Sequence, residues 1–280
     1  MERLNTACSP ENEKMELVIL GTGNAMVTRC YNTCFAFRSA AGCYLIDAGG
    51  GNGILRQLEL VGIPAGDIRG MFITHGHTDH ILGAVWVVRK MAELMKKGDY
   101  AGPFTIRCHK EAADMLTTFC KMTLTPALFG YIGNGIHIEP IGEGETYTAL
   151  GMALRPFDIL STKAKQYGFE ARLPGGKRLV CLGDEPYNPA ADARAEGCDW
   201  LLSEAFCRYA DRDRFHPYEK HHSTALDAGR MAEGLKAKNL ILYHTEDATL
   251  DTRKAQYAAE AKEVYSGNVF VPDDLEVIPL

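Results

Sequence analysis

The sequence lacks any CxxC pair, although it contains nine cysteines. Because their number is odd and they are scattered, a disulfide framework and a structural zinc ribbon are both disfavoured. We expect reduced thiols that pack as small hydrophobic side chains in a cytoplasmic protein. Cys181 lies three residues before Asp184, so a place near a metal stays open for it, but a buried core thiol is the expected role.

Long hydrophobic runs and an excess of positive charge are also absent. The longest apolar run near the histidine-rich stretch, residues 81–88, is too short to span a bilayer. Residues 1–14 are polar and lack the hydrophobic region of a secretory signal. The net charge of −6 argues against a general binder of nucleic acid or anionic membranes. We expect a soluble cytoplasmic protein with no membrane partner, and a homodimer stays open.

Short apolar runs alternate with amphipathic stretches along the whole chain, without repeats, low-complexity segments or linkers. This pattern predicts one domain over residues 1–280, of the mixed α/β (α+β) class, with residues 1–14 as a poorly ordered N-terminus. The predicted helices span residues 53–60, 80–95, 224–235 and 252–264. The predicted strands span residues 17–20, 34–37, 44–46, 71–73, 104–107, 136–139, 152–156, 168–173, 177–182, 200–203, 240–243, 269–271 and 276–278.

The stretch of residues 74–80 reads Thr-His-Gly-His-Thr-Asp-His. His75 and His77 lie two residues apart after a predicted strand, so in an extended segment their side chains point the same way. Asp79 and His80 fall at the start of the next predicted helix, where a carboxylate suits the positive end of the helix dipole. Imidazoles and carboxylates are ligands of zinc and similar divalent ions. The stretch therefore predicts a metal site.

Two glycine-rich segments follow early predicted strands. Residues 20–26 fail as a dinucleotide-binding loop because Met26 stands where the third glycine is needed, so we expect a turn beside the active site. In residues 47–51 the glycines permit a close approach of the backbone. Asp47 at the start of this segment is placed to hydrogen-bond a metal ligand.

Asp184 and His244 each follow a later predicted strand, and with the HxHxDH motif they resemble the signature of the metallo-β-lactamase superfamily. The resemblance runs from about residue 17 to residue 280. It implies a four-layered αββα sandwich with the site at one edge of its two sheets. It also implies zinc, as one or two ions, with manganese or iron as alternatives. The implied ligands are His75 and His77 for the first metal, Asp79, His80 and His244 for the second, and Asp184 as the bridge.

Within the superfamily the chain is most similar to the ribonuclease Z-like branch of tRNA 3′-processing endonucleases and related phosphodiesterases. The residues that carry this resemblance are Leu-Gly-Thr-Gly at 20–23, Ser-Glu-Ala-Phe at 203–206 and His-Ser-Thr-Ala at 222–225. The last resembles the branch's HxT motif. The resemblance implies that His222 assists catalysis with support from Glu204.

One departure from the family concerns the first metal. The family places a further histidine six residues before a Gly-aromatic pair, and here Thr162 stands at that distance from Gly168. A weakened or remodelled first site is favoured, and three alternatives stay open. The first metal binds weakly or is absent, or His216 or His221 replaces the missing histidine ligand, or water, substrate or the Thr162 hydroxyl completes the coordination of the first metal. Lys163 and Lys165 beside the gap either hold an anionic group or form a solvated edge.

A second departure concerns the substrate. The candidate for the tRNA-gripping arm, residues 119–151, has a net charge of −2 (one lysine, three glutamates), so it does not suit phosphate binding. Residues 155–178 carry +4 (six positive and two negative side chains), which suits a small phosphorylated molecule or nucleotide better than tRNA.

The expected activity is metal-dependent hydrolysis, most simply of a phosphodiester. A divalent ion lowers the pKa of bound water to about 7 and so makes metal-bound hydroxide available. Asp79 and Asp184 would orient it, and His222 would donate a proton to the leaving alkoxide, help that is typically worth about 10²–10⁴ in rate. Two alternatives remain: a hydrolase of another ester, thioester or lactone, and a metal-poor binding or sensing protein without catalysis.

Overall fold

Two sheets of seven strands each form the centre of the computed structural model, which describes residues 14–280. Along the chain, the first sheet takes β1 (Glu16–Gly21), β2 (Cys34–Ser39), β3 (Gly42–Ile46), β4 (Ile68–Phe72), β5 (Phe104–Cys108), β6 (Ile136–Pro140) and β14 (Val277–Pro279). The second takes β7 (Tyr147–Ala149), β8 (Met152–Asp158), β9 (Tyr167–Arg172), β10 (Arg178–Cys181), β11 (Trp200–Glu204), β12 (Asn239–Tyr243) and β13 (Asn268–Phe270). Their spatial orders are β14-β1-β2-β3-β4-β5-β6 and β13-β12-β11-β10-β9-β8-β7.

Helices cover the outer face of each sheet. The described α-helices are α1 (Gly53–Leu60), α2 (Thr78–Lys97), α3 (Lys110–Thr123), α4 (Pro126–Phe129), α5 (Arg212–Phe215), α6 (Ala225–Gly234) and α7 (Leu250–Lys262). Buried apolar residues of α1 to α4 form one cluster with the first sheet, and those of α6 and α7 form another with the second sheet. No helix in residues 14–280 is both long enough and apolar enough to cross a membrane.

A third apolar cluster fills the space between the sheets. Phe35, Phe37 and Phe72 of the first sheet pack against Phe169 of the second, with ring centroids 5.8–6.4 Å apart. Aromatic pairs at this spacing add to the stabilisation that comes from burial alone. The order of layers is therefore helix, sheet, sheet, helix, which confirms the predicted αββα sandwich.

The parallel parts of the two sheets determine where functional side chains meet. Strands β3 to β6 run parallel in the first sheet, and β10 to β13 run parallel in the second. In open parallel sheets, ligands bind beyond the carboxyl ends of the strands. Asp47, the residues after Phe72, Asp184 and His244 all follow such ends, so one edge of the sandwich collects them.

Most predicted elements are present with ends shifted by one to three residues. Helices α3, α4 and α5 and strand β7 were not predicted. The stretch 119–151, proposed as an inserted arm, instead continues α3 and forms α4, β6 and β7. Strands β6 and β7 are the outermost strands of their sheets, so this stretch completes the sandwich. The prediction for the N-terminal segment falls almost wholly on residues 1–13, which lie outside the described part.

Candidate metal centre and active site

Asp184 lies between two groups of ligand atoms. Its Oδ2 is 3.4 Å from His75 Nε2, 3.4 Å from His80 Nε2 and 3.7 Å from His244 Nε2. His80 Nε2 is also 3.4 Å from Asp79 Oδ2. The six predicted residues therefore meet as two clusters: His75, His77 and Asp184 form what we call the first site, and Asp79, His80 and His244 form the second.

The second site has the geometry and charge of a metal site. Ligands bonded at about 2.1 Å around a tetrahedral ion stand about 3.4 Å apart, which is the spacing of His80 Nε2 from both carboxylates. His80 Nε2 is buried and has no hydrogen-bond partner within residues 14–280. Burial lowers the pKa of His80, but Asp79 and Asp47 together raise it well above its ordinary value. The residues thus fit a divalent cation.

Two side chains contact the second nitrogen of the histidines in the second site. Asp47 Oδ2 lies 2.8 Å from His80 Nδ1, as predicted for Asp47 from the sequence. Thr33 Oγ1 lies 3.2 Å from His244 Nδ1, and because its hydroxyl donates to Gly23 O it can accept from that ring. Such contacts leave Nε2 of each ring free for an ion.

Backbone conformation at the strand ends aims these side chains at the site. Asp47 has φ +56° and His244 has φ +58°, both in the left-handed region that non-glycine residues rarely adopt. Gly83 allows α2 to approach the loop after β3, because a Cβ there would lie 1.8 Å from Ala48 O. Burial lowers the pKa of His244 to about 3, so its imidazole is neutral and available as a ligand at neutral pH.

Gln166, which the sequence did not single out, lies at the first site. It is 2% exposed, and its Nε2 contacts Asp184 Oδ1 and lies 3.0 Å from His75 Nδ1. Thr162 is exposed, and its hydroxyl lies 3.4 Å from Nδ1 of His221. Neither His216 nor His221 belongs to the clusters found in residues 14–280, so the structure gives no support to the alternative that one of them replaces the missing ligand.

His222 and Glu204 form a pair next to the second site. His222 Nδ1 lies 3.5 Å from Oε2 of the fully buried Glu204, and its ring centroid is 5.2 Å from that of His244. Glu204 also accepts from the backbone nitrogen of Ser223. Burial raises the pKa of Glu204, while His222 opposes that rise. Thr224, two residues after His222, is the N-cap of α6 and fixes the backbone that carries His222.

A cavity of about 490 Å³ opens onto both clusters. Lys163 and Lys220 line it, and Lys220 Nζ lies 4.7 Å from the ring centroid of Phe206, which stacks on His222. Met26, which is 87% exposed, and Asn24 from the glycine-rich turn also line the cavity, as expected for a turn beside the active site. The predicted metal ligands and catalytic residues that line it are His77, Asp79, Asp184, His222 and His244.

Five of the six basic side chains in residues 155–178 pair with carboxylates. Only Lys163 of this stretch is among the cavity-lining residues, and its Nζ is 3.9 Å from Glu185. Lys165 does not line the cavity, and its Nζ lies 2.8 Å from Asp158 Oδ2, so it is not placed to contact an anion there. The stretch's paired residues are Arg155 with Asp192, Lys165 with Asp158, and Arg172 and Arg178 with Glu170.

Other residues considered from the sequence lie outside the clusters. Cys181 is buried between the sheets with its Sγ 3.4 Å from Tyr243 Oη, which confirms the core role. His109 Nδ1 accepts from Ala112 N and caps α3. His137 lies half-buried in β6. Both histidines are structural, as expected.

Comparison with known proteins gives matches across the chain. A family model described as the metallo-beta-lactamase superfamily matches residues 27–91. A ribonuclease Z of Nocardia farcinica is 26% identical, with 95% of this chain and 97% of that protein covered. A metallo-beta-lactamase fold protein of Bacillus subtilis has a TM-score of 0.74 at 20% sequence identity, and the match covers 96% of this chain and 100% of that protein. A diphosphatase of the PhnP family has a TM-score of 0.71 at 18% sequence identity, and the match covers 95% of this chain and 97% of that protein.

Proposed function

We infer, from the confirmed resemblance to the ribonuclease Z-like branch of the metallo-β-lactamase superfamily, that this chain is a metal-dependent hydrolase of phosphodiester bonds. The observation that carries the proposal is the convergence of two ligand clusters on Asp184 Oδ2, with His222 and Glu204 beside them. The metal-free alternative is disfavoured because His80 Nε2 is buried, faces Asp79 Oδ2 and Asp184 Oδ2 at 3.4 Å and has no hydrogen-bond partner in residues 14–280.

In the proposed mechanism the side chains of the site have three roles: holding the ion, orienting water and donating a proton. Asp79, His80, His244 and Asp184 would hold a divalent ion, for which we propose zinc, and that ion would supply Lewis acidity and lower the pKa of water. Asp79 orients the attacking water by accepting its hydrogen bond. His222, positioned by Glu204, holds a proton at Nε2 and delivers it to the leaving oxygen.

The cavity supports a small phosphorylated molecule or nucleotide as the substrate. Its volume of about 490 Å³ lies within the usual range for small-molecule sites. Lys163 and Lys220 at its wall suit a phosphate group in addition to the scissile one, and Phe206 offers an apolar surface to a ring. Because relatives of this chain are ribonuclease Z proteins, tRNA is the second candidate substrate class. Residues 119–151, which complete the sandwich and carry a net charge of −2, do not supply the basic arm that gripping tRNA would need.

The test compares wild type and His222→Ala on bis-p-nitrophenyl phosphate and on a thioester panel. We expect diester cleavage in the wild type that falls about 10²–10⁴-fold in the variant, with bound metal unchanged. His221→Ala, which changes an exposed neighbour, is the matched control and keeps full activity. Thioester cleavage without diester cleavage, or diester cleavage that survives His222→Ala, would contradict the proposal.

A further inference from the structure

The two ligand clusters differ in the hydrogen-bond partners that their histidine nitrogens have within the protein. His80 Nε2 in the second site is buried without a hydrogen-bond partner in residues 14–280. In the first site, His75 has neighbours at both nitrogens: Nε2 is 2.9 Å from His77 Nδ1, and Nδ1 is 3.0 Å from Gln166 Nε2. The spacing of 2.9 Å is that of an N–H···N hydrogen bond and is shorter than tetrahedral ligand spacing.

The amide of Gln166 has a definite orientation. Asp184 Oδ1 is a carboxylate oxygen that only accepts, so the NH₂ end of the amide faces it. The carbonyl Oε1 of Gln166 is buried and has no partner in the described part of the chain. The side chain is therefore held through its NH₂ end alone, with one hydrogen for Asp184 and the second directed to His75 Nδ1.

The two neighbours of His75 Nδ1 favour opposite tautomers, because the Gln166 amide donates to an unprotonated Nδ1 and the Thr74 oxygen accepts from a protonated one. A ring that accepts at Nδ1 carries its proton on Nε2, from which it donates to His77. A cation at His75 Nε2 requires the opposite tautomer, with the proton on Nδ1. Thr74 Oγ1, which is 2.9 Å from Nδ1, can accept that proton because its own hydroxyl donates to Asp47. Gln166 then loses its second acceptor.

We propose that Gln166 keeps the first site free of metal at ion concentrations that fill the second site. The resident centre is then a single ion held by Asp79, His80, His244 and the shared Asp184. The amide competes with the cation by stabilising the His75 tautomer that cannot bind it. This inference depends on the proposed function only in requiring a cation at the second site.

The first measurement needs no activity. Long-range ¹H–¹⁵N spectra of metal-free protein labelled in histidine report which ring nitrogen carries the proton, and loss of one signal set in His75→Ala assigns the residue. We expect His75 with its proton on Nε2 in the wild type and on Nδ1 in Gln166→Met, which preserves side-chain length without donors. His75 protonated on Nδ1 in the wild type would overturn the proposal.

The second measurement titrates zinc against a competing chelator and counts bound ions by mass spectrometry. We expect one tight ion per wild-type chain and a second ion at least about tenfold weaker, since one hydrogen bond is worth roughly that factor. Gln166→Met should reduce the ratio between the zinc affinities of the two sites about tenfold. Gln256→Met is the matched control and should leave that ratio unchanged. A Gln166→Met variant that loses first-site affinity would identify the amide as a ligand and overturn the proposal.

The outcomes separate this inference from the proposed function. One tight ion with an unchanged ratio of zinc affinities in Gln166→Met overturns the role of Gln166 and leaves the hydrolase standing. Wild-type protein that binds no zinc, manganese or iron at either site overturns both.

Discussion

Asp47 Oδ2 lies 2.8 Å from His80 Nδ1 and 2.7 Å from the hydroxyl of Thr74, whose oxygen contacts His75. One carboxylate therefore contacts a ligand of the second site directly and a ligand of the first site through Thr74, on the ring sides that face away from the ions. Its Oδ1 also accepts from the backbone nitrogen of Thr74, which fixes the segment that leads into the motif. Asp47 fixes the His80 tautomer that presents Nε2 to an ion.

Asp47→Ala should lower zinc affinity at the second site about 10–100-fold, the usual effect of removing a group that orients a metal ligand. Asp47→Asn should lie between, because asparagine tolerates the φ of +56° and still accepts a hydrogen bond. Competition with a chromogenic chelator measures both. The control is Asp213→Ala, at an exposed carboxylate. Equal zinc affinity in Asp47→Ala and wild type would refute the role of Asp47.

Removing the bound ion should lower the melting temperature. Asp79 and Asp184 are buried carboxylates at the second site, and a cation that binds only the folded state stabilises it by RT ln(1 + [L]/Kd). At a concentration of about 100 times Kd this amounts to about 2.7 kcal/mol, or roughly 5–10 °C for a chain of this size. Calorimetry with chelator and with added zinc checks it, and Asp184→Asn should show a much smaller shift.

Lys163 and Lys220 should act on substrates that carry a second phosphate. Replacing either by alanine should raise KM about tenfold for a phosphodiester with an additional phosphomonoester group, with little change in kcat, because a remote charge contributes uniform binding. Bis-p-nitrophenyl phosphate lacks that group and should show no such change. Lys121→Ala provides a control on a surface away from the cavity. An equal KM rise for both substrates would exclude recognition of the extra phosphate.

The ligand set could be predicted from the sequence because its most informative part is local. His75, His77, Asp79 and His80 fall within six residues, and their spacing alone brings them to one rim. Asp184 and His244 depend on which strand ends meet, and there the family resemblance supplied what spacing could not. The structure brings these six residues together, and their catalytic roles stay predictions.

Gln166 and Lys220 could not be predicted in this way. Gln166 precedes β9, which runs antiparallel to β10, so only the pairing of those strands places it beside Asp184. Lys220 reaches the cavity from a 3₁₀ turn at Tyr218–Lys220, which has no periodic pattern. Helix α3 was missed although the sequence carries its signal, because its buried residues Ala112, Ala113, Leu116 and Cys120 recur at helical spacing.

His109 is a buried histidine with no part in the metal clusters. It is 2% exposed, and its Nδ1 accepts from Ala112 N at 3.3 Å as the N-cap of α3. Its ring centroid lies 5.4 Å from that of Tyr167. Burial lowers its pKa to about 4, because a charged ring would be desolvated and its Nδ1 could no longer accept.

His109 should therefore make the protein sensitive to acid. Its pKa is about 6.5 in the unfolded chain and about 4 in the folded state, so between these values the unfolded chain binds more protons and stability falls as the pH falls. The loss between pH 7 and pH 5 should be about 2 kcal/mol. His109→Asn, which can still cap the helix but does not titrate, should lose that much less over the same interval. Urea unfolding of metal-free protein at both pH values checks this, with His137→Asn as the control, and parallel pH dependence in wild type and His109→Asn would show that His109 is not the source.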